Sequence, residues 1–193
     1  MKALQLSSPH IIAMVGVPGA GKTQFATEFA EMFGAPRLDC EVLTELSDNE
    51  TKVNLASGAI LKELMKTRQT IIFEGATEKR AWRGELARAA RAAGYKVLLV
   101  WVQTDLPTAK ARWMKARGGD ETLFEQKLKQ FSAPHPSESC VVISGRHTYN
   151  TQARTLLKKL SEGARPATPV AHTTAAPLER ERPQPRPSRI RIG

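Results

Sequence analysis

The sequence predicts an α/β domain in which five parallel strands form one sheet that is covered by helices on both faces. Five short segments are predicted as strands, and all but the second are apolar runs of the kind found in strands buried within a sheet. Stretches with the helical spacing of apolar residues separate these runs, and such alternation is typical of parallel sheets. We therefore expect ligands to bind at the carboxyl ends of the strands.

A glycine-rich loop joins the first strand to the first helix. Residues 11–15 (IIAMV) form the first apolar run, residues 16–23 read GVPGAGKT, and apolar side chains recur with helical spacing from Phe25 to Phe33. The loop matches the pattern G-x-x-x-x-G-K-S/T, which arises by chance on the order of once in a hundred chains of this length. Its glycines let successive backbone N–H groups face an anion at the positive end of a helix. We therefore interpret it as a phosphate-binding loop (P-loop) rather than as a glycine turn.

The P-loop indicates which ligands to expect. Lys22 is expected to reach the β- and γ-phosphates of a nucleotide, and the Thr23 hydroxyl is expected to ligate Mg²⁺. ATP and Mg²⁺ are therefore the expected ligands, and the predicted fold is the three-layer sandwich of P-loop NTPases with a helical lid. The expected nucleotide-binding residues of the loop are Gly16, Gly19, Ala20, Gly21, Lys22, Thr23 and Gln24.

The remaining elements follow in order along the chain. Four further strands are predicted at residues 35–40, 70–75 (TIIFEG), 96–102 (KVLLVWV) and 140–145 (CVVISG). Helical spacing predicts helices near residues 53–65, 78–93, 108–117 and 124–131, and a last helix that carries Ala153, Leu156 and Leu160. The chain therefore alternates between strand and helix from its first strand to its last helix.

Acidic residues end two of the predicted strands. Asp39 ends the second strand, across the expected cleft from the P-loop, where a carboxylate can take a proton from an attacking hydroxyl. Aspartate is also favoured at helix N-termini, so a capping role for Asp39 stays open. Glu74 ends the third strand, where it is expected to hold Mg²⁺ or the acceptor of the phosphoryl group, with helix capping as its alternative.

The predicted helix at residues 108–117 is basic and is followed by two glycines. Phosphoryl transfer gains from cations that close over the developing charge, and a glycine hinge would allow such a lid to move. A charged helix face exposed to solvent is the ordinary explanation of such a run. Its place between the fourth and fifth strands favours a lid, with Arg112 as the first candidate and Arg117 as the second.

The formal net charge of +10 is divided between two predicted parts of the chain. Residues 1–162 are expected to form the domain, and residues 163–193 a disordered tail, because the latter hold six of the twelve prolines and few large apolar residues. Six arginines against two glutamates place four of the ten positive charges in the tail. Nucleic acids and phosphorylated small molecules are therefore candidate partners, although such a tail also serves solubility alone.

The first ten residues contain no long apolar core, and no apolar segment is long enough to span a membrane. We therefore expect neither a signal peptide nor a membrane partner, and we expect a cytoplasmic location.

Several stretches together resemble the small P-loop kinases, above all their polynucleotide-kinase-like and zeta-toxin-like group, whose members are often classed as AAA-family ATPases. The resemblance covers roughly residues 10–160. It is carried by GVPGAGKT, an acid after strand two, IIFEGATEKRAWR, VWVQTD followed by KARWMKAR, and SGRHTY. It departs from polynucleotide kinases in two places: Leu-Asp-Cys-Glu replaces an Arg-Asp-Asp cluster, and Glu74 stands where aspartate is commoner. Both departures concern the acceptor rather than the nucleotide.

The resemblance implies roles for individual residues. It implies a general base at Asp39 and a lid arginine at Arg112. It also implies acceptor contacts from the arginines that open the helix after strand three, Arg80 and Arg83. The loop after the last strand would lie against adenine through Gly145 and Arg146.

These observations predict an enzyme, a kinase that transfers the γ-phosphate of ATP to a hydroxyl. A nucleic acid 5′-hydroxyl or a nucleotide is the first candidate acceptor, and a small metabolite or a nucleotide sugar is the alternative. A nucleotide-dependent switch ATPase that engages nucleic acid or protein is the alternative from another class. A kinase needs a pocket for the acceptor hydroxyl between Asp39 and the P-loop, whereas a switch ATPase needs only a water molecule there.

Overall fold

The computed structural model describes residues 6–44, 46–47, 49–116 and 120–162. Within these residues the strands are β1 (His10–Val15), β2 (Arg37–Asp39), β3 (Ile71–Glu74), β4 (Lys96–Gln103) and β5 (Cys140–Ser144). The helices are α1 (Lys22–Phe33), α2 (Cys40–Thr44), α3 (Glu50–Lys66), α4 (Arg80–Ala92), α5 (Leu106–Ala116), α6 (Glu121–Gln130) and α7 (Tyr149–Glu162). The predicted tail at residues 163–193 lies outside the described residues.

The strands form one sheet in the order β2-β3-β1-β4-β5, and every neighbouring pair is parallel. The predicted α/β fold with a five-stranded parallel sheet is thereby confirmed. Along the chain, β3 is added on one side of β1 and β4 on the other, so the order of strands reverses at β1. Ligands of open parallel sheets bind at such a reversal, and the P-loop follows β1 directly.

The central strand contributes to a core on each face of the sheet. Ile12 and Met14 pack beneath α1 and α7, whereas Ile11, Ala13 and Val15 pack beneath α3 and α4. All five side chains are at most 1% exposed. This burial explains why the strand is an uninterrupted apolar run instead of an alternating one, and it gives the P-loop a rigid base.

β2 is shorter than predicted, since it spans Arg37–Asp39 rather than residues 35–40. Helix α2 begins at the next residue, and Asp39 Oδ1 accepts a hydrogen bond from the backbone N–H of Glu41 at 2.9 Å. The other strands and α4, α5 and α6 begin and end within three residues of their predicted positions. None of the helices in the described part of the chain is long and apolar enough to cross a membrane.

Arg83 lies in the interior and not in the cleft where we expected it to contact an acceptor. Its side chain is 1% exposed, and its guanidinium pairs with both carboxylate oxygens of Glu138, through Nε at 2.8 Å and Nη2 at 3.0 Å. Its remaining N–H groups donate to the backbone carbonyls of Thr77, Glu78, Ser132 and Ala133. Arg83 therefore ties α4 to the segment before β5 and has no donor left for a substrate.

We expect Glu138→Gln to lower the free energy of unfolding by about 2 kcal/mol, because the buried Arg83 would lose its counter-ion. The hydrogen bond from Arg83 lowers the pKa of Glu138 below its ordinary value of 4.5. The ion pair therefore stabilises the fold at pH values above 4.5, and this stabilisation is lost as the pH falls through the lowered pKa of Glu138. Urea unfolding at pH 7 and at pH 3 measures both effects, and the difference between variant and wild type should shrink at pH 3.

Glu85→Gln is the matched control for this prediction. Glu85 also faces an arginine, Arg88 at 4.0 Å, but both side chains are exposed. We expect a change within about 0.5 kcal/mol. Equal losses for the two variants would contradict a structural role for the Arg83–Glu138 pair.

Candidate active site

The P-loop runs from Gly16, directly after β1, to the start of α1 at Lys22. Gly21 precedes the helix with a φ of +101°, and Gly19 has a φ of +73°. Both values lie in the left-handed region, which residues with a side chain rarely adopt. The loop therefore delivers the free N–H groups and the positive end of a twelve-residue helix to one place, where an anion would be stabilised.

Close packing also restricts the P-loop to small residues. A Cβ atom at Gly19 would collide with the backbone carbonyl of Ala109 on α5, and one at Gly16 would lie 2.7 Å from the carbonyl oxygen of Val102 on β4. Thr104, just after β4, donates a hydrogen bond from its hydroxyl to the carbonyl of Ala20 at 2.9 Å. The loop is therefore held by β4 below it and by α5 above it.

We expect Gly19→Ala to weaken nucleotide binding at least about tenfold. The left-handed backbone alone costs a residue with a side chain roughly 1–2 kcal/mol, and the collision with Ala109 adds to this strain. Gly84→Ala is the matched control, since a Cβ atom at this exposed position of α4 would meet nothing within 4 Å. Calorimetric titration with ADP measures both variants. Wild-type affinity in Gly19→Ala would contradict the packing of α5 on the loop.

Lys22 folds back over the loop it belongs to. Its Nζ donates to the backbone carbonyls of Gly16 at 2.9 Å and Val17 at 3.1 Å. Burial lowers the pKa of Lys22, and the nearby carboxylates of Glu78 and Glu74 oppose this effect. The ammonium is thus held at the loop by neutral carbonyl groups, which phosphate oxygens can replace as stronger acceptors.

The two strand-end carboxylates are joined by an arginine that the sequence did not single out. Asp39 and Glu74 are register partners on neighbouring strands β2 and β3. Arg37 donates from Nε to Glu74 Oε1 at 2.7 Å and from Nη2 to Asp39 Oδ2 at 2.5 Å. Glu74 is 7% exposed, and Asp39 and Arg37 are partly exposed, at 17% and 24%. The structure therefore brings both predicted acids to one wall of the cleft.

The capping alternative for Asp39 is also realised, because its Oδ1 accepts the hydrogen bond from Glu41 at the start of α2. One oxygen of Asp39 thus bonds the helix and the other bonds Arg37. Each carboxylate oxygen has a second lone pair, so these contacts leave Asp39 able to accept a further hydrogen bond.

Glu74 links the strand ends to the P-loop. Burial raises the pKa of Glu74, and this effect is opposed by hydrogen bonds from Arg37 and from the Thr23 side chain. Thr23 and Glu74 are the two residues predicted to hold Mg²⁺, and the Thr23 side chain is near enough to Glu74 to lower its pKa. Mg²⁺ prefers oxygen ligands, and Glu74 and Thr23 supply a carboxylate and a hydroxyl. A nearby cation would also stabilise the ionised form of the buried Glu74. No group of three or more His, Cys, Asp or Glu side chains suited to a metal ion occurs in the described residues.

The predicted lid arginine lies at the mouth of the P-loop. Arg112 Nη1 donates to the carbonyl oxygen of Gly145 at 3.1 Å, and a Cβ atom at Gly21 would lie 3.7 Å from the same Nη1 atom. Arg112 on α5 therefore bridges the loop after β5 and the start of α1. The second candidate, Arg117, lies outside the described residues.

A cavity of about 810 Å³ opens at the carboxyl ends of β4 and β5. Its lining includes Val17, Thr104, Arg146 and His147. Arg146 pairs with Asp105 across this opening at 3.4 Å, and both side chains are largely exposed. The predicted adenine residues Gly145 and Arg146 thus lie between the lid arginine and a cavity that is large enough for a nucleotide base.

Two further predicted residues lie away from the P-loop centre. Arg80, the first residue of α4, has an exposed side chain, and its backbone N–H donates to Ser132 Oγ at 3.0 Å. Gln24 is exposed, and its side chain donates to Glu28 Oε1 at 3.1 Å on the outer surface of α1. Their roles in acceptor and nucleotide binding stay predictions.

These features define the α/β fold of P-loop kinases, with a phosphate loop at the strand-order reversal and carboxylates on the adjoining strand ends. The sequence matches the family described as AAA domain over residues 11–134, and the chain belongs to this family. No curated protein matches the chain in sequence.

Solved structures with the same fold include three kinases. A gluconokinase from Sinorhizobium meliloti has a TM-score of 0.62 and 19% identity, over 81% of this chain and 94% of that one. A sugar kinase from Janibacter sp. has a TM-score of 0.61 and 22% identity, over 80% and 95% of the two chains. A deoxyadenosine kinase from M. mycoides with bound dATP has a TM-score of 0.53 and 15% identity, over 79% and 100%. At these identities the likeness establishes the shared fold.

Proposed function

We propose that this protein is a kinase that transfers the γ-phosphate of ATP to a hydroxyl group. One observation carries the proposal: Arg37 joins Asp39 and Glu74 at the ends of β2 and β3, and Glu74 in turn interacts electrostatically with Lys22 of the P-loop. A phosphate cradle and a candidate general base thus occupy one cleft, as transfer to a hydroxyl requires. The family match and the kinases that share the fold support this class of reaction.

In the proposed reaction, Asp39 accepts the proton of the acceptor hydroxyl while the hydroxyl oxygen attacks the γ-phosphorus. The bond between that phosphorus and the bridging oxygen breaks, and ADP leaves with the electron pair. Lys22 and Arg112 stabilise the negative charge that develops on the phosphate oxygens. Thr23 and Glu74 would hold Mg²⁺, which supplies further neutralisation of the phosphate charge when it is bound.

The charges on the acceptor side favour a small acceptor without phosphate groups beside its hydroxyl. Asp39 and Glu74 lie on the proposed acceptor side, and Glu78, Glu74 and Glu41 interact electrostatically with Lys22, with Lys127 opposing them. A nucleic acid 5′-end would bring its own phosphates toward these carboxylates and would be repelled. The names of the related structures, a gluconokinase, a sugar kinase and a deoxyadenosine kinase, agree with sugars and nucleosides as the classes to test first.

The polynucleotide-kinase-like assignment predicts the other acceptor, a 5′-hydroxyl of DNA or RNA. The net charge of +10 supports it, because a basic protein attracts nucleic acid in general. A small acceptor depends on the contacts inside the cleft, where Asp39 and Glu74 lie, whereas a nucleic acid also depends on attraction to the basic protein as a whole.

A label-transfer assay tests the proposed function. The full chain is mixed with γ-labelled ATP and Mg²⁺ and is offered sugars, sugar acids, nucleosides, and 5′-hydroxyl oligonucleotides in separate reactions, with Lys22→Ala alongside. We expect label on a small hydroxyl compound that disappears in the variant. Label on an oligonucleotide would keep the kinase and replace the acceptor. Labelled free phosphate from every mixture, with no labelled acceptor, would contradict the kinase and favour the switch ATPase.

A further inference from the structure

We propose that Arg37 is a positioning residue of phosphoryl transfer, which uses its bond to Glu74 as an anchor and holds the carboxylate of Asp39 in the position the reaction uses. This role presupposes the proposed kinase function. It adds a residue that neither the P-loop pattern nor the strand-end acids indicate, and it explains how two carboxylates share one wall of the cleft.

The local geometry makes Arg37 a bridge. Arg37 and Asp39 are two residues apart on β2, so their side chains leave the strand on the same side. Asp39 is the register partner of Glu74 on β3, and adjacent strands lie roughly 4.8 Å apart. Nε and Nη2 lie on one edge of the planar guanidinium and carry parallel N–H groups. That edge reaches Glu74 at 2.7 Å and Asp39 at 2.5 Å.

Electrostatics explain why a bridge is needed. Asp39 and Glu74 repel each other, and the charge of Asp39 contributes to raising the pKa of Glu74. Glu74 is 7% exposed, so it cannot turn into water to escape the repulsion. Asp39 Oδ1 is already held by Glu41, so Oδ2 is the oxygen that Arg37 fixes. Without Arg37, this repulsion would favour arrangements in which the Asp39 carboxylate moves away from Glu74.

A comparison with Arg83 separates a positioning role from a structural one. Arg83 is 1% exposed and ties a helix to a distant segment through one carboxylate and several carbonyls. Arg37 is 24% exposed at the cleft, and its two charged partners are the candidate base and the candidate cation ligand. Loss of Arg37 should therefore disturb the reaction more than it disturbs folding.

The test uses Arg37→Met and Arg37→Lys in the full chain, with the acceptor found in the label-transfer assay. We expect kcat to fall about 10²-fold in Arg37→Met, with the KM for ATP and for the acceptor within about threefold of wild type. Lysine carries the charge but cannot present two parallel donors, so Arg37→Lys should restore activity only in part. Arg88→Met is the matched control on the exposed face of α4 and should leave kcat unchanged.

The kcat of the double variant Arg37→Met/Asp39→Asn distinguishes a positioning role of Arg37 from a purely structural one. If Arg37 acts through Asp39, the double variant should be no slower than Asp39→Asn alone, whereas independent effects would multiply. Multiplying effects, full kcat in Arg37→Met, or a raised acceptor KM with unchanged kcat would each overturn the positioning role. A wild-type chain that transfers label to none of the acceptors would overturn the proposed function, and the role of Arg37 with it.

Discussion

Lys22→Ala is expected to reduce phosphoryl transfer by about 10³-fold, the loss typical of removing a preorganised charge from the transition state. The ammonium group is already fixed at the loop by the carbonyls of Gly16 and Val17. It therefore needs only a short movement to reach phosphate oxygens, and little reorganisation is left for the reaction itself. ATP affinity should fall as well, because the same charge contacts the phosphates in the ground state.

Single-turnover transfer of labelled phosphate measures the effect of Lys22→Ala on the chemical step. Lys66→Ala is the matched control, since this lysine is 72% exposed at the end of α3 and pairs with Glu63 on the same helix. The control should keep wild-type activity. Transfer by Lys22→Ala at more than a tenth of the wild-type rate would contradict the assignment of the P-loop as the phosphate site.

Asp39→Asn is expected to lower kcat by about 10³-fold and to leave ATP affinity nearly unchanged. A general base contributes typically 10²–10⁴-fold to the rate, and an amide cannot accept the proton. Asparagine caps a helix as well as aspartate does, so the bond to Glu41 and the start of α2 should persist. The expected loss is therefore in the proton transfer and not in the fold.

The matched control for Asp39→Asn is Asp120→Asn. Asp120 also caps a helix, since its side chain accepts the N–H of Leu123 at the start of α6, and it lies at an exposed site. Both variants lose one carboxylate charge and keep a helix cap. We therefore expect phosphoryl transfer to fall in Asp39→Asn, which lies at the cleft, and to stay unchanged in Asp120→Asn. Steady-state kinetics with calorimetric ATP titration separates kcat from affinity. Full activity in Asp39→Asn would remove Asp39 from the role of base.

The fold could be predicted from local patterns because burial in the sheet leaves a clear apolar run in β1, β3, β4 and β5. The order of the strands could not, since it depends on which strand each crossover returns to. The same limit hid Arg37, whose partner Glu74 lies 37 residues away and meets it only through the register of β2 and β3. An arginine two residues before a strand-end acid is the signal that could have pointed to it.

Arg83 shows the opposite failure. The resemblance to small P-loop kinases led us to expect an acceptor contact from Arg83, but no local pattern reveals that the helix turns this side chain inward. Its partner Glu138 lies 55 residues further along the chain. The P-loop succeeded as a prediction because its chemistry depends on backbone shape within eight consecutive residues. The roles of Asp39, Glu74 and Arg112 in the reaction stay predictions, although the structure places them at one cleft.

A crystal structure of the full chain with Mg²⁺ and an unreactive ATP analogue tests the account most directly. We expect the phosphates on the backbone N–H groups of the P-loop, and Lys22 Nζ moved from the carbonyls of Gly16 and Val17 onto phosphate oxygens. The γ-phosphate should face the wall that carries Asp39. Phosphates bound elsewhere, with Lys22 still on its loop carbonyls, would contradict the phosphate site and the proposed reaction together.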